Sequence, residues 1–96
     1  MRSWPFDVPE NVASITTRQV IYGHAPILLV NHDAEDGGWQ FLTGGDFNVE
    51  DAMLVALGEI VKLDCSIAEL ASLPEGWHAT RQAVGGPWKW ARDADT

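Results

Sequence analysis

Apolar residues come along this chain in short bursts, some alternating as in strands and some spaced as in helices. Val12-Ala13-Ser14-Ile15 is β-branched at its ends and reads as a first strand. Thr16 or Thr17 then caps a helix of one to two turns through Gln19 to Tyr22, and Gly23 stops it. Pro26 opens a second strand, where a missing backbone donor is tolerated, and Ile27 to Val30 is continuously apolar, as in a strand covered on both faces. Its hairpin partner is Gly37-Gly38-Trp39-Gln40-Phe41-Leu42-Thr43-Gly44-Gly45, in which Trp39, Phe41 and Thr43 alternate with Gln40 and Leu42. The link His32-Asp33-Ala34-Glu35-Asp36 is longer than a two-residue turn, so it bulges into solvent with its acids outward.

From Gly44 to Asp51 the glycine, asparagine and acidic content reads as a loop. Ala52 to Ala56 is assigned to a strand, because helical spacing of Leu57, Ile60 and Val61 begins just after it. Asp64 can cap the next helix, and Ser66-Ile67-Ala68-Glu69 has capping-box spacing ahead of Leu70, Ala71 and the stop at Leu73-Pro74. Trp77, Ala79 and Arg81 then share one face of a strand, with His78 and Thr80 on the other. After the turn at Gly85-Gly86-Pro87, Trp88-Lys89-Trp90 makes a short edge strand with both indoles on the same side. Two prolines in Trp4-Pro5-Phe6-Asp7-Val8-Pro9 make the start an extended arm, with Trp4, Phe6 and Val8 turned toward the domain. The expected architecture is α+β: a small twisted, mostly antiparallel sheet of four to five strands with two to three short helices on one face. Residues 1–11 form the arm, 12–90 the single domain and 91–96 a flexible tail.

Ninety-six residues and an apolar fraction of 46% suit one globular core. No stretch of about 18 apolar residues exists to span a bilayer, and Met1-Arg2-Ser3-Trp4-Pro5 lacks a signal peptide's apolar core, so the expected location is cytoplasmic. The single cysteine, Cys65, excludes an internal disulfide and suits a reducing compartment. Charge changes the picture more. The net charge is −8, and no Lys or Arg falls between Arg18 and Lys62, an interval holding Asp33, Glu35, Asp36, Asp46, Glu50, Asp51 and Glu59. Such a field repels nucleic-acid phosphates and anionic lipid, and draws in a basic protein partner. The candidate partner-binding residues are therefore Asp33, Glu35, Asp36, Asp46, Glu50 and Asp51, joined by Trp88 and Trp90 because tryptophan is enriched at interface hot spots.

Several landmarks also occur in a recognisable order. They are Ser14-Ile15 and Val20, Pro26 before an apolar strand, Gly38-Trp39-Gln40-Phe41-Leu42-Thr43-Gly44, Leu57-Gly58-Glu59-Ile60 followed by Asp64, and Gly76-Trp77-His78-Ala79-Thr80-Arg81. Across roughly residues 12–82 this pattern resembles the bacterial domain-of-unknown-function family 2185, also filed as immunity protein family 33 of polymorphic toxin systems. The resemblance implies an α+β fold with no established enzymatic activity and, for some members, a proposed role in binding and neutralising a cognate toxin. Where members often carry an arginine and acidic cluster before the tryptophan strand, this chain reads Asn31-His32-Asp33, and Gly85 to Trp90 falls outside the pattern.

Enzymatic alternatives are weaker at the level of residues. His32 beside Asp33, Glu35 and Asp36, with His24 or His78, is the material for a mixed metal site and a small metal-assisted hydrolase, but no helical His pair or Cys pair accompanies it. Cys65 has no histidine near it in sequence to act as a base. Gly37-Gly38, Gly44-Gly45 and Gly85-Gly86 lack the lysine and hydroxyl of a phosphate loop and read as turns. The expectation is a non-enzymatic protein-interaction domain without cofactor, a monomer or weak homodimer, with a structural homodimer domain as a further alternative. Trp88 and Trp90 are expected either to pack the Trp4-Phe6 arm or to form a contact surface.

Overall fold

The computed structural model describes residues 4–94. Six strands, β1 (Ala13–Thr17), β2 (Leu29–His32), β3 (Trp39–Leu42), β4 (Ala52–Ala56), β5 (Trp77–Thr80) and β6 (Lys89–Arg92), form one sheet in the order β4-β1-β3-β2-β5-β6. Helices α1 (Arg18–Ile21) and α2 (Leu57–Leu63) and two 3-10 segments, Val49–Asp51 and Cys65–Leu70, complete the α+β fold. The sheet is wider than the four or five strands expected, and it is mixed. β1 and β3 run parallel while the other four pairings are antiparallel. The hairpin docks with its tryptophan arm inward against β1, which places the fully buried Phe41 near the middle of the sheet.

Strand alternation decides which face carries the core. Val30, Trp39, Phe41 and Ala79 point to one side and meet Val20, Leu57, Ile60, Val61, Ile67, Leu70 and Leu73 from the helical segments. Phe6 of the arm joins them, its ring edge-on to Trp39 at 5.2 Å, with Trp4 and Val8 packed at the margin. Among the described residues the buried side chains of the helical segments all pack on this core face. Leu54, Ile15, Gln40, Asn31 and His78 form one row across the opposite face, Asn31 donating to Gln40 at 3.2 Å. The continuous apolar run Ile27 to Val30 is thus not a strand covered on both sides. Ile27 is buried before β2 begins, Val30 faces the core, and Leu29 is half-buried on the opposite face.

Capping differs from the expectation at one helical start. Thr17 caps α1 as anticipated, its side chain accepting from the Val20 N–H. At the second start Asp64 caps as anticipated, accepting from the Ser66 N–H at 3.1 Å, but the segment it opens is a 3-10 helix. Ser66 does not form the reciprocal box with Glu69, because its hydroxyl lies between Asp64 and Arg81. The chain end differs too. β6 continues through Ala91 and Arg92, so these two residues belong to the sheet rather than to a tail, and the Asp93 N–H just beyond donates to the Gly76 carbonyl at 2.8 Å. Residues 1–3 of the expected arm and 95–96 of the expected tail lie outside the described residues. No helix among the described residues is long and apolar enough to cross a membrane.

Candidate interaction surface

The acidic residues singled out from sequence fall into two groups, one at each end of β3. The strand between them is four residues long, a separation of roughly 13 Å along its axis. At the near end, the link between β2 and β3 is closed by the Asp33 N–H on the Gly38 carbonyl and the Gly37 N–H on the Asp33 carbonyl, at 2.8 and 3.0 Å. Asp33 and Asp36 serve the turn itself: Oδ1 of each accepts a backbone N–H two residues on, from Glu35 and Gly38, at 2.7 Å. Gly37 has φ +69, and a Cβ there would stand 2.8 Å from Glu75 Oε2. Glu75 therefore adds a further acid to this end. No local pattern announces it, because the proximity is created by β2 pairing with β5.

At the far end, Asp46, Glu50 and Asp51 lie on the loop and 3-10 turn leading into β4. Asp51 is held by Arg18 at 3.3 Å and by the Gln19 amide at 2.9 Å, which ties this loop to α1. Asp46 and Glu50 are exposed, and so are apolar neighbours. Phe47 is 46% accessible, Val49 80% and Leu54 73%, so most of the last two side chains faces solvent. Exposed large apolar groups set beside uncompensated acids are the composition of a protein-binding patch with a polar rim. Sequence reading found the acids here and passed over Phe47, Val49 and Leu54, whose apolar character resembled that of core positions.

The two terminal tryptophans divide. Trp88 is half-buried against the core with the Arg81 guanidinium 4.1 Å from its ring centroid, and its Nε1 is buried without a hydrogen-bond partner among the described residues. The arm's aromatic contact is instead with Trp39, since Phe6 packs there. Trp90, opposite Ala79 on the edge strand, is 39% accessible and remains available as surface.

Arg81 is the residue whose importance sequence reading missed. Its side chain is fully buried, and it donates to the Ile27 carbonyl at 3.0 Å, to Ser66 Oγ at 2.8 Å and to Asp64 Oδ2. Burial by itself would raise the Asp64 carboxyl, but hydrogen bonds from the Ser66 side chain, from Arg81 and from the Ser66 N–H, with the Arg81 charge, together hold it below its ordinary 3.8. The arrangement clamps β5 to the start of the second helical segment. The signal in the sequence was an arginine at the inward position of an alternating strand.

The residues of the enzymatic alternatives are engaged structurally. His32 stacks on Trp39 at 3.9 Å between centroids, and its Nδ1 lies 2.7 Å from the Leu73 carbonyl. His78 Nδ1 meets Asp93 at 2.7 Å. Among the described residues no three His, Cys, Asp or Glu side chains converge as metal ligands. His24 and Cys65 both line a cavity of about 360 Å³ that Asp64 also borders, and the Asp64 carboxylate is taken up by Arg81 and Ser66. Compared with protein-family models, curated proteins and solved structures, the chain matches none of them.

Proposed function

We propose that this domain is a non-enzymatic interaction module that binds a basic protein partner through its acidic surface, acting as a monomer or weak homodimer in the cytoplasm. The observation that carries this reading is the segment from Asp46 to Leu54, along which Phe47, Val49 and Leu54 are exposed and alternate with the exposed acids Asp46 and Glu50 and the half-buried Asp51 held by Arg18. Apolar side chains supply the area that a stable contact needs, and the acids select a cationic partner and speed its approach. The near-end acids Asp33, Glu35 and Asp36 add to the same negative field, as steering rather than contact, because Asp33 and Asp36 also serve their own turn. Trp90 is a secondary contact, whereas Trp88 is packing. Immunity to a toxin is the most concrete form of this reading, and it is supported by the resemblance in landmark order to family 2185. The test is affinity capture from the native host with the tagged domain, followed by measurement of the purified partner's affinity against salt. A single stoichiometric basic protein whose binding weakens as salt rises supports the proposal. Recovery of no partner, or of an acidic one bound independently of salt, refutes it.

A further inference from the structure

β4 is one of the two outer strands of the sheet, and it differs from the other in how it is guarded. The β6 edge carries Lys89 and Arg92, the charged residues by which sheets discourage edge pairing. Ala52-Met53-Leu54-Val55-Ala56 carries no charge, no proline and no glycine. Its hydrogen-bonding direction follows from the register with β1. The Leu57 N–H donates to the Val12 carbonyl at 2.8 Å, so alternate pairs Ser14 with Val55 and Thr16 with Met53 are the hydrogen-bonded ones. Leu54, paired with Ile15, therefore turns both its N–H and its carbonyl away from the sheet, and so do the Ala52 carbonyl and the Ala56 N–H. Among the described residues nothing lies beyond them in the sheet.

We propose that β4 is a docking edge at which an extended basic and apolar segment of the partner adds as a further strand, a mode that rests on the basic-partner reading given above. Four outward backbone groups around Leu54 would fix the segment's register, and the exposed Leu54 side chain would pack on its alternate residues. Charge complementarity selects the occupant. Asp46 and Glu50 stand unpaired among the described residues at one end of β4, beside Asp51, which Arg18 holds, while Glu59 just beyond the other end is paired with Lys62 at 3.6 Å. Pairing of two copies about Leu54 would set Glu50 of one opposite Gly58 of the other and Val49 opposite Glu59, which brings the Glu50 of each copy within one position of the other's Glu59, so like charges gather at both ends and a second copy is disfavoured. A segment with lysine or arginine beside its apolar positions meets opposite charge at the Asp46 and Glu50 end.

The test uses the peptide acetyl-KVKVTVK-amide as probe, its acidic counterpart acetyl-EVEVTVE-amide, and a version of the first N-methylated at the central valine, titrated into the isotopically labelled full chain. With the basic peptide, amide exchange at Leu54 and Ala56 is expected to slow about tenfold or more at saturation, while Met53 and Val55 change little. The acidic and N-methylated peptides should bind at least about tenfold more weakly. Leu54→Pro removes the outward donor and Leu54→Lys keeps the donor while repelling the probe, so both should weaken binding. Binding that protects the amides of residues 33–38 instead of Leu54 overturns strand addition but leaves the basic-partner reading standing. Lack of binding up to about 1 mM, or Leu54 protection that rises with protein concentration alone, also overturns it.

Discussion

Arg81→Met tests the clamp between β5 and the Asp64 cap. The substitution keeps an unbranched chain in place of the buried arginine stem and removes the guanidinium that donates to Ile27, Ser66 and Asp64. Asp64, whose side chain is only 16% accessible, is left as a half-buried carboxylate without its cation. Breaking a buried pair from one side costs roughly 3–5 kcal/mol, and the residual access of Asp64 to water puts the expectation at about 3 kcal/mol. That is a large part of the roughly 5–10 kcal/mol that holds a domain of this size together, and it lowers the melting temperature by roughly 12–24 °C. Urea denaturation of wild type, Arg81→Met, Asp64→Asn and the double variant closes the cycle, with Asn retaining the helix cap. The double variant should lose about as much as Arg81→Met alone, giving a coupling of about 1–3 kcal/mol. A single-variant loss under about 1 kcal/mol, or additivity within about 0.5 kcal/mol, would refute the reasoning.

Because the folded carboxyl of Asp64 is depressed, its contribution is complete above the ordinary value of 3.8 and fades as pH falls through the lower folded value. The stability gap between wild type and Asp64→Asn should therefore be flat at neutral pH and close in acid, as acid titration followed by circular dichroism would reveal. Trp39→Ala, which empties the site where Phe6, His32 and Phe41 meet, should lose about 3–5 kcal/mol by the same denaturation assay. Trp88→Ala should destabilise measurably and Trp90→Ala by under about 1 kcal/mol, reversing if Trp90 is the buried one. Cys65 is exposed, so a maleimide should label it in the folded protein without moving the melting temperature.

The alternation of Trp39, Gln40, Phe41 and Leu42 made the central strand readable, and the structure keeps it: the tryptophan and phenylalanine are buried and the other two half-buried. The strand-to-helix switch at Leu57 was readable for the same reason, since one periodicity gives way to another at a single residue. Long-range relations were not. The parallel pairing of β1 with β3, the approach of Glu75 to Gly37 and the clamp of Arg81 on Asp64 each join residues far apart in the chain by sheet register, which local pattern does not encode. The acids were visible as an interval without lysine or arginine, yet their division between two ends of β3 follows only from the hairpin geometry. Apolar residues in the β3–β4 connection could not be told from core residues, because hydrophobicity alone does not report burial.

The interaction reading is tested most directly by the affinity of the captured partner for wild type and for Asp46→Asn/Glu50→Gln, measured by titration calorimetry across roughly 0.05–0.3 M salt. This pair leaves Asp51 in place to hold Arg18, so the loop keeps its tie to α1. Removing two exposed acids from the patch should weaken binding about tenfold at low salt and flatten the salt dependence. Equal affinity and equal salt dependence for the two proteins would contradict the claim that this acidic patch receives a basic partner.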